Sequence, residues 1–143
     1  MKACKHGIVV IFFLLSGALL SGVAAGDGLW MTRVPEKDRA KRNPFASNAN
    51  APAAGAKLYS QNCASCHGED ATGKDHHPSL RTERVRGATP GELQWLLTNG
   101  SMKNGMPSWS KLPEPQRWQI VSYIKSLQAT PEAGASARSS RER

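Results

Sequence analysis

Cys63-Ala64-Ser65-Cys66-His67 is the stretch on which the reading of this chain turns. Two thiols one helical turn apart, followed at once by an imidazole, form the C-x-x-C-H pattern. Each thiol can add to one vinyl group of a haem, and the histidine then projects beneath the ring to bind iron from one side. Two rival chemistries use similar residues. Structural zinc takes four ligands, usually with a second Cys or His pair at x3–5 spacing. Beyond the first 25 residues only His76 and His77 remain, adjacent to each other, which is poor geometry for that purpose. A thioredoxin-like dithiol belongs near a βαβ pattern, and none is present. The motif therefore predicts one covalent haem c, held through Cys63 and Cys66, with His67 on the iron.

Outward from the motif, both ends of the 143-residue chain differ from its middle. Lys2 and Lys5 precede an apolar run over 8–20, and Val23-Ala24-Ala25 offers small residues for cleavage, so 1–25 reads as a signal peptide. An uncleaved anchor is the alternative, because the uncharged stretch 8–25 only just reaches spanning length. Removal of the leader takes Cys4 with it, leaving only the two cysteines of the motif. The expectation is an exported, periplasmic protein with no stable membrane insertion once the leader is cleaved. Residues 26–51 are polar, carry Arg33, Lys37, Arg39, Lys41 and Arg42, and show no apolar period. They read as a linker or a strap along the surface. Residues 129–143, rich in Ala, Ser, Arg and Glu, read as a disordered tail.

That leaves 52–128 as the folded domain, all-α, with three main helices. The first is expected over about 53–63, with Leu58 and Tyr59 as its large apolar members. Thr89-Pro90-Gly91-Glu92 fits a capping box with proline at the first helical position, and Gly100 supplies the stop. The third runs from about 113 to 128, where Ile120, Val121, Ile124 and Leu127 recur at threes and fours, flanked by Trp118 and Tyr123. A domain this small buries little apolar surface unless a metal or cofactor staples it. The irregular stretches 68–88 and 101–112 sharpen the need, and a flat apolar cofactor would give both loops something to wrap.

In order along the chain, Gly55-x-x-x-Tyr59, Cys63-Ala64-Ser65-Cys66-His67-Gly68, Pro78-Ser79-Leu80, Asn99-Gly100, Gly105-Met106-Pro107 and Tyr123-Ile124-x-x-Leu127 make a set far more specific than the attachment motif alone. On these marks the chain resembles the class I c-type cytochromes, the small bacterial kind with one haem and His/Met ligation. The resemblance implies a small cytochrome c fold in which the first and last helices cross, with Gly55 and Tyr59 meeting Tyr123. It implies that the Pro78 carbonyl accepts a hydrogen bond from the proximal imidazole of His67, and that Met106 is the second iron ligand.

Among the alternatives for that ligand, Met102 follows Gly100 closely beside the solvated Lys103-Asn104, and Met31 sits in the polar N-terminal segment. His76 and His77 immediately precede Pro78, which would hold them on the His67 side, so they read as surface loop histidines. A neutral thioether raises the potential relative to a bis-histidine site and leaves no open coordination position. Trp109, three residues after Met106, is the candidate propionate donor. One of Arg81, Arg84 and Arg86 is a candidate to neutralise a propionate.

The expected role is an electron carrier, not an enzyme, moving one electron between a dehydrogenase or membrane complex and an oxidase or other cytochrome. Pro107-Ser108-Trp109-Ser110-Lys111-Leu112-Pro113 resembles cytochromes that serve quinoprotein dehydrogenases, which suggests such a donor. A ligand-binding sensor needs a loose distal ligand or a fused output domain, and the chain has no room for such a domain. A peroxidase needs an open site with a distal acid or base, and no histidine is placed to serve. Beyond the leader, seventeen basic residues face eleven acidic ones, a net +6. The basic residues are scattered, which argues against nucleic acid and for steering toward an acidic redox partner.

Overall fold

The computed structural model describes residues 30–128. The leader and tail expectations therefore lie outside the described residues. Six α-helices follow one another: α1 (Glu36–Arg39), α2 (Ala51–Asn62), α3 (Ala64–His67), α4 (Glu83–Gly87), α5 (Pro90–Asn99) and α6 (Glu114–Ser126). Two 3-10 turns, Met31–Arg33 and Met102–Asn104, complete the set. Among the described residues no strand forms; two isolated bridges, Lys74 with His77 and Ser101 with Met106, pinch the loops. The fold is all-α, and the three main helices of the sequence reading are α2, α5 and α6.

α5 is bounded as its sequence dictates. The Thr89 hydroxyl accepts from the Glu92 amide at 3.2 Å, and the Glu92 carboxylate accepts from the Thr89 amide at 2.7 Å. Two orphan donors of the first turn are thereby satisfied. α6 buries Trp118, Ile120, Val121 and Ile124, so Trp118 belongs to the core stripe instead of flanking it. Leu93 and Leu97 of α5 meet them in one cluster. Burying an aliphatic side chain of this size stabilises by about 1.5–3 kcal/mol.

α2 lies across α6, as the resemblance implies. A Cβ on Gly55 would fall on the backbone carbonyl of Gln119, so only glycine allows this approach. One turn on, the Tyr59 and Tyr123 rings pack tilted with centroids 5.0 Å apart. The Tyr59 hydroxyl donates to the Gly68 carbonyl at 2.7 Å, tying α2 to the residue after His67.

The described part of the polar strap is more deeply built in than its composition suggested. Trp30 and Val34 are buried in the main core cluster. Two apolar residues one turn apart are too few to register as a period, yet they suffice to anchor a short segment.

Candidate haem site

α3 is a single turn capped at its start by Cys63. The amides of Cys66 and His67 both donate to the Cys63 carbonyl, at 3.1 and 2.9 Å, which places both thiols and the imidazole on one short coil. Cys63 is buried and Cys66 half-buried, and no disulfide joins them. Burial, reinforced by the neighbouring Cys66, pushes the Cys63 thiol up to about 11.

The loop after α3 turns back to hold the histidine. The His67 Nδ1 lies 2.8 Å from the Pro78 carbonyl oxygen. A carbonyl only accepts, so Nδ1 carries the proton and Nε2 keeps its lone pair for a metal. The expected hydrogen bond is thus present. His77 differs from the expectation for a surface residue: it is half-buried, with its ring edge-on to His67 at 6.5 Å between centroids. The bridge from Lys74, through the His77 amide at 2.9 Å, pulls it inward. His76 is exposed and stacks on His77 at 4.3 Å.

Met106 is fixed by backbone. Its carbonyl accepts from the Ser101 amide at 2.8 Å and its amide donates to the Ser101 carbonyl at 3.2 Å. Beyond it, the Ser108 hydroxyl donates to the Thr98 carbonyl at 2.6 Å and the Trp109 amide to Leu97 at 2.8 Å. Arg117 of α6, only 8% exposed, donates to the Leu112 and Ser110 carbonyls and anchors the far end of this loop. The sequence reading missed Arg117, whose only signal was a charge beside an apolar helical stripe. Met102, by contrast, is 73% exposed.

Cys63, Cys66, His67 and Met106 all line one cavity of about 690 Å³. Its volume lies within the range of cofactor pockets. Leu80, Val85, Leu93, Leu96 and Ile124 give it an apolar lining continuous with the core. Trp109 and Arg84 reach it as well. Arg81 instead ties loop to loop, through Nε to the Asp70 carbonyl at 2.7 Å, and Arg86 pairs with Glu83. The sequence reading named neither His77 nor Trp30 as cavity residues, yet both line it.

These residues fit a haem. A flat apolar group matches the lining, the two thiols stand on the wall where vinyl groups would meet them, and the free Nε2 of His67 is a donor to iron. Among the described residues no three His, Cys, Asp or Glu side chains converge as a metal-ion cluster.

Comparison with known proteins agrees. Residues 50–124 match the family described as cytochrome c oxidase, cbb3-type, subunit III. A cbb3-type cytochrome c oxidase subunit CcoP from Rubrivivax gelatinosus is 29% identical over 96 residues, 66% of this chain and 32% of that protein. Cytochrome c550 from Pseudomonas aeruginosa is 31% identical over 90 residues, 60% of this chain and 62% of that protein. A CcoP from Rhodobacter capsulatus is 33% identical over 84 residues, 52% of this chain and 28% of that protein. The chain thus spans about a third of the oxidase subunits it matches and less than two thirds of the cytochrome c550. The family match covers more than half of this chain, and the chain belongs to that family of c-type cytochromes, whose cofactor is a covalently bound haem c.

Proposed function

We propose that this protein is a periplasmic one-electron shuttle with one haem, bonded to Cys63 and Cys66 and ligated by His67 and Met106. It would take electrons from a dehydrogenase, such as a quinoprotein dehydrogenase, or from a membrane complex, and deliver them to an oxidase or another cytochrome. The observation that carries this reading is that His67, held at Nδ1 by Pro78, lines the same cavity as Met106. Bound there, a haem supplies a one-electron iron couple. The chain's residues do the rest. His67 gives a basic, oriented nitrogen. Met106 gives a soft, neutral sulfur that favours ferrous iron, and its backbone clamps keep it in place. With both engaged, no position is left for oxygen, which suits electron transfer and not oxygen chemistry.

The oxidase as acceptor is supported by the family match and by the relatives' names. Export and cleavage of 1–25, and the 52–128 domain boundary, belong to the same proposal. Among the described residues no helix is long and apolar enough to cross a membrane.

The test is chemical. Purified protein should retain one haem per chain through acid acetone extraction, and the reduced form should bind no carbon monoxide. Haem extracted by acid acetone would exclude the covalent link, and rapid carbon monoxide binding would favour a sensor or enzyme with an open iron.

A further inference from the structure

The family match begins at residue 50, but the cavity wall does not. Trp30, 7% exposed, lines the same cavity as His67 and Met106. Its segment is fixed to the domain at four places. The Glu92 carboxylate, 2% exposed, pairs with Arg39, and Arg39 also donates to the Met31 carbonyl at 3.1 Å, next to Trp30. The Asp38, Arg39 and Lys41 carbonyls close over Gly91 so tightly that no Cβ fits. Thr89 Oγ1 adds a bond to the Arg39 carbonyl at 3.0 Å, and Asn43 Nδ2 donates to Trp118 and Ser122 of α6 at 3.1 and 2.9 Å. Lifting this segment would break the Arg39–Glu92 ion pair together with the hydrogen bonds of Thr89 and Asn43. The closed arrangement is therefore the resting one.

We propose that Trp30, held in place by residues 31–43, is a built-in part of the haem cavity's wall, and that it is a positioning residue that excludes water from the haem and so raises its potential. Solvent access and the apolar shell set the redox potential of a metal site, because a dry surround disfavours the more charged ferric state. This inference rests on the haem occupying the cavity between His67 and Met106.

The experiment compares the full-length holoprotein with Trp30→Ala, Trp30→Phe and Gly91→Ala. For each, the midpoint potential, the covalent haem content, the methionine-to-iron charge-transfer band and amide exchange over 30–43 are measured. Trp30→Ala should shift the oxidised-to-reduced ratio about tenfold toward oxidised at fixed ambient potential, about 59 mV for one electron. Trp30→Phe should restore most of that shift. Gly91→Ala improves helix propensity yet pushes on the strap. It should free the 30–43 amides and lower the potential with every cavity side chain unchanged. An unmoved potential in Trp30→Ala with haem and band intact overturns the inference. So does a Gly91→Ala protein whose strap amides open without any change in potential. Should Trp30→Ala not fold, Gly91→Ala and Trp30→Phe decide by the same criteria. Absence of the band from the unsubstituted protein would instead overturn the axial-ligand reading.

Discussion

The His67 imidazole and the Pro78 carbonyl are 2.8 Å apart, so the residue expected to bind iron is held by a backbone oxygen eleven positions further on. This bond makes the imidazole a stronger donor and favours ferric iron. Pro78→Ala frees the loop backbone and weakens it. The midpoint potential should rise, on the order of 40 mV, the one-electron equivalent of a net hydrogen bond of ~1 kcal/mol. A fall, measured by spectroelectrochemical titration, would mean that solvent entry outweighs the bond.

Met106 and Met102 give a paired test. Met106→Ala should abolish the near-infrared sulfur-to-iron band of the ferric protein, lower the potential and admit carbon monoxide to the reduced protein. Met102, 73% exposed, should change none of these when replaced by Ala. The opposite pattern would transfer the ligand role to Met102.

Tyr59 predicts an alkaline limit. Burial, the largest cause, raises its phenol well above the ordinary value of about 10. The folded protein therefore keeps a proton that the unfolded chain gives up. The associated stability is fully present below pH ~10 and is lost as pH rises beyond it. Tyr59→Phe should cost roughly 1 kcal/mol at neutral pH through the missing bond to Gly68, and should flatten the decline above pH ~10. Urea midpoints across a pH series measure both, and an equally steep decline in the variant would acquit Tyr59.

Charge around the cavity predicts the salt response of electron transfer. The stretch 51–128 carries nine basic and six acidic residues, a net +3. An acidic partner should be steered moderately, since salt screens over about 8 Å at 0.15 M. Stopped-flow rates should fall roughly tenfold across a salt series. Lys103 and Lys111 are exposed on either side of Met106, whereas Lys57 is exposed on α2 away from the cavity. Charge reversal at the first two should slow the reaction more than at Lys57. A rate that is flat or rises with salt would rule out an acidic docking patch.

Where local chemistry decided the structure, the sequence was readable. The capping box at Thr89 and Glu92 and the apolar stripe of α6 each determine their geometry from a few adjacent residues. The C-x-x-C-H turn was legible for the same reason, whereas the crossing at Gly55 was legible only through the family resemblance. What escaped depends on distant partners. α4 is only Glu83–Gly87, too short for any period to show, and is marked chiefly by its Thr82 cap. Arg39 looked like one more solvated charge until Glu92, far along the chain, was found beside it. Trp30 and His77 owe their places to loops whose course no local pattern specifies.

α6 closes over Gly55 of α2 and brings Trp118, Ile120, Val121 and Ile124 to the core. Until α6 closes, Leu93 and Leu97 of α5 lack the α6 side chains that they pack against. Up to then Cys63, 8% exposed in the finished protein, is open to reagents and to any attachment machinery. On the proposed attachment, the thioether bonds would form on the open chain, before α6 closes.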